Sequence, residues 1–183
     1  MKMLRPFERF FRRPSATQAE SDPLEQYIES FLRLPHHQWI ASDKYLKLAF
    51  SQLFERMADA GVMPWTLGKV YFLPANAQYS CSLGLEERCQ VIIVFPDLLR
   101  MLKALVPHLG LAVLAHELGH VFHRHYTKNV DTFQAQLEAD AFAVRLGLGR
   151  ELQDILLQYP ESDECLARLR ALTVALGPMG KDN

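Results

Sequence analysis

Apolar positions recur at the helical period up to about residue 62 and again after residue 96, with strand-like runs between. Leu24, Tyr27, Ile28, Phe31 and Leu32 form the first apolar stripe, on a helix entered through Asp22 and Pro23 and ended by Pro35. His36 and His37 follow, in what reads as a solvated loop where neighbouring side chains point apart. Tyr45, Leu46, Ala49, Leu53, Phe54 and Met57 mark a second helix from about Ser42 to Ala60, stopped by Gly61. Then the composition changes. Lys69–Leu73, Tyr79–Leu83 and Cys89–Phe95 are short β-rich runs, and Gly84 with Glu86, Glu87 and Arg88 predicts a hairpin between the last two. From Asp97 the helical pattern resumes: one helix to Leu105, an apolar one through Leu111–His120, and a long one from Asp131 to Leu148. Two more, Arg150–Tyr159 and Ser162–Leu176, close the chain. The pattern predicts an α+β fold, mainly helical, with a small mixed or antiparallel sheet beside the apolar helix.

The 183 residues fit one main domain, and a hydrophobic fraction of 49% is enough to bury a sizeable core. Residues 1–21 read as a basic tail and linker, 22–62 as an N-terminal helical segment, and 63–178 as the main domain. A net charge of −1 argues against general nucleic-acid binding. Cys81, Cys89 and Cys165 have no zinc-knuckle spacing, and their odd number fits reduced thiols in a cytoplasmic protein better than a disulfide framework. No apolar run reaches the roughly 18–20 residues of a membrane span. In residues 1–13, Lys2, Arg5, Arg9, Arg12 and Arg13 alternate with Leu4, Phe7, Phe10 and Phe11. Such a segment is either a disordered basic tail or a weak contact for an anionic membrane surface.

The apolar helix carries the chemistry. His116-Glu117-Leu118-Gly119-His120 is an H-E-x-x-H motif, preceded by the wholly apolar Leu111–Ala115. Residues four apart share a helix face, so the two imidazoles can hold one zinc ion while Glu117 takes a proton from the zinc-activated water. Gly119 suits a helix crossed closely by another. A catalytic zinc needs a third protein donor, and the next helix is the natural source. There Phe133, Leu137, Ala141, Val144 and Leu148 read as the core face, with Gln136, Asp140, Ala143 and Gly147 on the adjacent face. Glu138 points well away from that face. His123 and His125 read as helix-end histidines, favoured near the negative end of the dipole.

His116-Glu-Leu-Gly-His-Val-Phe-His-Arg-His125, followed by Leu137-Glu-Ala-Asp-Ala-Phe-Ala143, resembles the HtpX and CAAX-prenyl-protease family of gluzincin metallopeptidases. The likeness takes in Asn76-Ala77, the strand Val91–Phe95, and Tyr159-Pro160 through Arg168, about residues 70–170. It implies a zincin-like domain that uses zinc to hydrolyse peptides or unfolded proteins, with Glu117 as general base. It also implies that the substrate lies extended along an edge strand, here Val91, Ile92, Ile93 and Val94. In that family the third ligand is a Glu four residues before the Asp of an Ala-Asp pair; here that position is Gln136. Three alternatives follow. Gln136 coordinates through its oxygen, Glu138 substitutes after a local helix distortion, or the chain is a weakened zincin-fold module that binds peptides without turnover. Asp140 is expected to orient a zinc-binding histidine through a hydrogen bond.

Overall fold

The computed structural model describes residues 22–75, 89–158 and 162–177. The expected strand Tyr79–Leu83 with its hairpin, the basic segment 1–13, and Asn76, Ala77, Cys81, Tyr159 and Pro160 lie outside the described residues. Helix α1 spans Pro23–Arg33, and the Asp22 carboxylate accepts from the N–H of Leu24 as the sequence predicts. A single turn over Pro35–His37 leads into the short α2 (Gln38–Ala41), which the apolar pattern had not revealed. Asp43 caps α3 (Lys44–Asp59) by accepting from Tyr45 and Leu46, and Gly61 ends it at φ 70°.

Of the adjacent His36 and His37, only His36 is exposed. His37 is wholly buried, against the expectation of a solvated loop. Its Nδ1–H donates to the Phe31 carbonyl at 3.0 Å, and its Nε2 accepts from the N–H of Phe72 at 3.1 Å. One neutral ring thus ties the end of α1 to the first strand. The rings of Phe31, Phe50, Phe54 and Phe72 surround this tie, Phe50 meeting Phe72 edge-on at 4.9 Å.

The strands β1 (Lys69–Pro74) and β2 (Cys89–Val94) pair in parallel, in register from Lys69↔Cys89 to Pro74↔Val94. This corrects the expected antiparallel or mixed sheet. A parallel return needs a connection of about a dozen residues or more, and residues 75–88 supply it. Phe72, Ile92 and Val94 turn into the core, while Val91 and Ile93 stay half-buried.

The remaining helices are α4 (Pro96–Leu102), α5 (His108–His123), α6 (Thr132–Arg145), α7 (Gly149–Leu156) and α8 (Asp163–Leu176). Helix α5 runs through the middle and packs on α3, α4, α6 and α7. Its Leu111, Ala112, Leu114, Ala115 and Leu118 are almost fully buried, each Leu contributing about 1.5–3 kcal/mol. The same apolar core continues without a break into α1, α3 and β1.

The inward face of α6 differs from the expected one. Ala139, Phe142, Ala143 and Leu146 are buried, Leu137 is half-buried, and Ala141 is exposed. Gly119 sets this rotation. A Cβ built on it would lie 2.7 Å from Cα of Ala139 and 3.0 Å from Cβ of Phe142, so α6 presses its 139/142 side onto the bare glycine backbone. The 137/141/144 side is left to form, with Ala171, Leu172 and Ala175 of α8, a shallow apolar hollow.

Two outcomes follow. Gly119→Ala forces backbone apart at the α5–α6 crossing and is expected to destabilise the fold by about 1–3 kcal/mol, measured by denaturant unfolding. Burial pulls the pKa of His37 below its ordinary 6.5. With the native value depressed, the unfolded chain takes up protons first as pH falls through about 6.5, so the contribution of His37 is complete above that pH and fades below it. His37→Leu, which orphans the Phe72 N–H, is expected to cost about 1–3 kcal/mol at neutral pH. The gap from wild type should narrow toward acid; a gap that stays constant would contradict this role.

Candidate metal centre

One turn of α5 separates His116 and His120, and their Nε2 atoms lie 3.2 Å apart with the rings nearly perpendicular at 87°. Two nitrogens bound tetrahedrally to one zinc at about 2.0–2.1 Å would be about 3.3 Å apart. The spacing therefore matches two ligands of a common ion.

The outer nitrogens explain why both inner ones face each other. Asp140, only 3% exposed, accepts from Nδ1 of His116 at 2.8 Å. It also accepts from Nε and Nη2 of Arg168, at 2.8 and 2.7 Å. Burial alone would push the Asp140 carboxyl up, but the hydrogen bonds from His116 and Arg168 and the guanidinium charge outweigh it, leaving the pKa below the usual range. On the other side, Nδ1 of His120 lies 2.8 Å from Nδ1 of His125, whose Nε2 lies 2.8 Å from Oε2 of Glu138. Gln134 donates to the second oxygen of Glu138 at 3.1 Å. Ionised carboxylates only accept, so His116 carries a proton on Nδ1 toward Asp140 and His125 one on Nε2 toward Glu138; with a neutral His125, its Nδ1 then accepts from Nδ1–H of His120. Both inner Nε2 atoms then carry lone pairs aimed at one point. Burial, with His116, His125 and Arg168 close by, pulls His120 down to about 4, so it stays neutral.

His125 reaches His120 by a backbone device. Arg124 ends α5 in the left-handed conformation, at φ 57° and ψ 42°, and turns the chain back beneath the helix. For a residue with a Cβ this costs about 1–2 kcal/mol. His123 stacks on His125 at 5.4 Å, with its Nδ1 3.8 Å from Oε2 of Glu138. Glu117 is half-buried on α5 and makes no hydrogen bond or ion pair among the described residues.

The third donor is a matter of two positions on α6. Gln136 lies one turn before Asp140 on the same face, and its Oε1 is buried without a hydrogen-bond partner among the described residues. Leaving such an oxygen orphaned costs about 1–3 kcal/mol, which a cation would remove. The Glu138 carboxylate is already held by His125 and Gln134, and it groups with His123 and His125 rather than with His116 and His120. Two imidazoles suit zinc, and an amide oxygen is a neutral, weaker donor than the carboxylate that zinc usually takes beside them.

The sequence-predicted residues His116, Glu117, His120, Gln136, Glu138 and Asp140 all lie on the crossing pair α5 and α6, Glu138 on a different face of α6 from Gln136 and Asp140. Val91–Val94 lie on β2. Sequence reasoning overlooked the part of His125, whose only signal was its spacing behind the motif, and gave Arg168 no partner.

The model of peptidase family M48 matches residues 50–156, from within α3 to the end of α7. No curated protein and no solved structure matches the chain. Among the described residues, no helix is long and apolar enough to cross a membrane. The matched region is more than half of the chain and contains every residue of the H-E-x-x-H helix and of α6: the chain belongs to peptidase family M48, whose members are zinc-dependent.

Proposed function

We propose that this M48 peptidase is a cytoplasmic zinc metalloendopeptidase of the HtpX and CAAX-prenyl-protease kind. His116, His120 and Oε1 of Gln136 would hold the zinc, and unfolded proteins or extended peptides would be the substrates. The observation that carries the ligand assignment is the buried Oε1 of Gln136, without a hydrogen-bond partner among the described residues and one turn from the carboxylate that orients His116. When bound, zinc supplies a Lewis acid that polarises the scissile carbonyl and makes water a nucleophile near neutral pH.

The chain's own groups do the rest. Glu117 takes the proton of the attacking water and hands it to the leaving amine. Asp140 fixes the tautomer of His116, and Arg168 keeps Asp140 ionised. Glu138 does the same for His120 at one remove, through His125. Strand β2 is paired with β1 along one edge, and among the described residues no further strand lies beside Val91–Val94. The backbone of Val91, Ile92, Ile93 and Val94 there can add an extended peptide as a further strand. Burial of Ile92 and Val94 holds that edge in place.

Gln136 also favours a second reading. A neutral amide holds a dication less tightly than a carboxylate, and a weakly metallated chain would bind peptides without cutting them. Zinc content and hydrolysis of an unfolded protein substrate separate the two. The peptidase reading expects a tightly bound zinc ion at His116 and His120, and His116→Ala should lose that ion. Glu117→Gln should keep the zinc and lower kcat by about 10²–10⁴-fold. Gln136→Glu should tighten zinc binding, and Gln136→Leu should weaken it. A folded wild-type chain that takes up no zinc sinks the peptidase reading; a zinc-loaded chain no faster than Glu117→Gln leaves the binding module.

A further inference from the structure

We propose that His123, His125 and Glu138 form a second divalent transition-metal site beside the first, and that an ion bound there opposes binding of the first. The proposal rests on the assignment of His116, His120 and Gln136 to the first ion. The ligand atoms of His123, His125 and Glu138 all lie within 4.8 Å of one another. Nε2 of His125 and Nδ1 of His123 face the same carboxylate oxygen, at 2.8 and 3.8 Å. The two rings lie nearly parallel, at 9° with centroids 5.4 Å apart, so the partly exposed His123 must turn for both lone pairs to meet one ion. Two imidazoles and a carboxylate are a set that zinc takes, with copper(II) preferred by affinity. Gln134 steadies the carboxylate through its other oxygen. The side chains of His123 and Glu138 are 31% and 33% exposed, so an ion can enter from solvent. The site also sits at the C-terminal end of α5, where the helix dipole favours a cation.

The opposition follows from counting protons. In the first site, Nδ1–H of His120 donates to Nδ1 of His125 at 2.8 Å. An ion on Nε2 of His125 takes the place of the proton there. The neutral ring then carries its proton on Nδ1, the exchange running through solvent, so that no charge is gained or lost on the ring. Two N–H groups now face each other at a distance made for one. Either His125 turns away, or His120 gives up the tautomer that keeps its Nε2 free for the first ion. The coupling is reciprocal, so the first ion weakens the second by the same factor.

The test is zinc titration of the metal-stripped 183-residue chain, with bound metal counted by equilibrium dialysis and elemental analysis. Wild type, His123→Ala and His116→Ala are compared; His123 is partly exposed, so its truncation leaves the core intact. Wild type should take up a second, weaker zinc ion, and His123→Ala should lose that ion while keeping the first. His116→Ala should keep the rim ion and bind it more tightly than wild type does. A wild type that saturates with one ion, lost in His116→Ala, overturns the second site and leaves the peptidase reading standing. A second ion that persists in His123→Ala also overturns it. Equal rim affinity in wild type and His116→Ala overturns the opposition. A single ion kept in His116→Ala but lost in His123→Ala would instead overturn the first-site assignment.

Discussion

Two imidazole lone pairs pointed at each other across 3.2 Å are the constraint around which this molecule is arranged. Without a cation the contact is repulsive, and nothing in the helix itself would choose it. It persists because each ring is held from behind by a group that accepts its outer proton: Asp140 for His116, and His125 backed by Glu138 for His120. The polar groups of α6 and of the Arg124 turn therefore act on α5 as a clamp. The buried Asp140–Arg168 pair is the costly part of it. Removing one partner of such a pair typically costs about 3–5 kcal/mol, whereas an intact pair adds little net stability. Its use here is orientation.

The clamp demands that α5 and α6 come close, and the apolar core supplies that. Gly119 lets Ala139 and Phe142 of α6 rest on the backbone of α5. The ring of Phe122 of α5 meets that of Phe142 at 4.9 Å, tilted by 34°, just beyond the crossing. A crossing set by packing at 119, 139 and 142 fixes where residues 136, 138 and 140 stand relative to His116 and His120. Packing and chemistry thus share one interface.

Much of this was legible in the sequence. The helices around residues 116 and 140 follow from apolar spacing and caps, and the H-E-x-x-H motif marks the buried helix at the centre of the fold. Asp140 was legible as well, because one turn of α6 relates it to Gln136. What escaped depended on contacts between distant segments or on backbone conformation. The parallel pairing of β1 and β2 is set by which strands meet, not by either strand's composition. His37 is buried because Phe31 and Phe72 offer it an acceptor and a donor, from segments that only the fold brings together. The role of His125 depends on a left-handed arginine, a conformation that local sequence rarely signals. The α6 core face was misread by one side because the rotation is set by Gly119, on another helix.

The central claim is that one zinc ion is held by two histidines and a neutral oxygen. Zinc X-ray absorption on the 183-residue chain loaded with a single equivalent tests this most directly. The expected spectrum shows two imidazoles at about 2.0–2.1 Å, the remaining light-atom ligands at similar distances, and no sulfur. A sulfur shell at about 2.3 Å, which would bring in a cysteine such as Cys89 or Cys165, or a site with fewer than two imidazoles, would contradict the account.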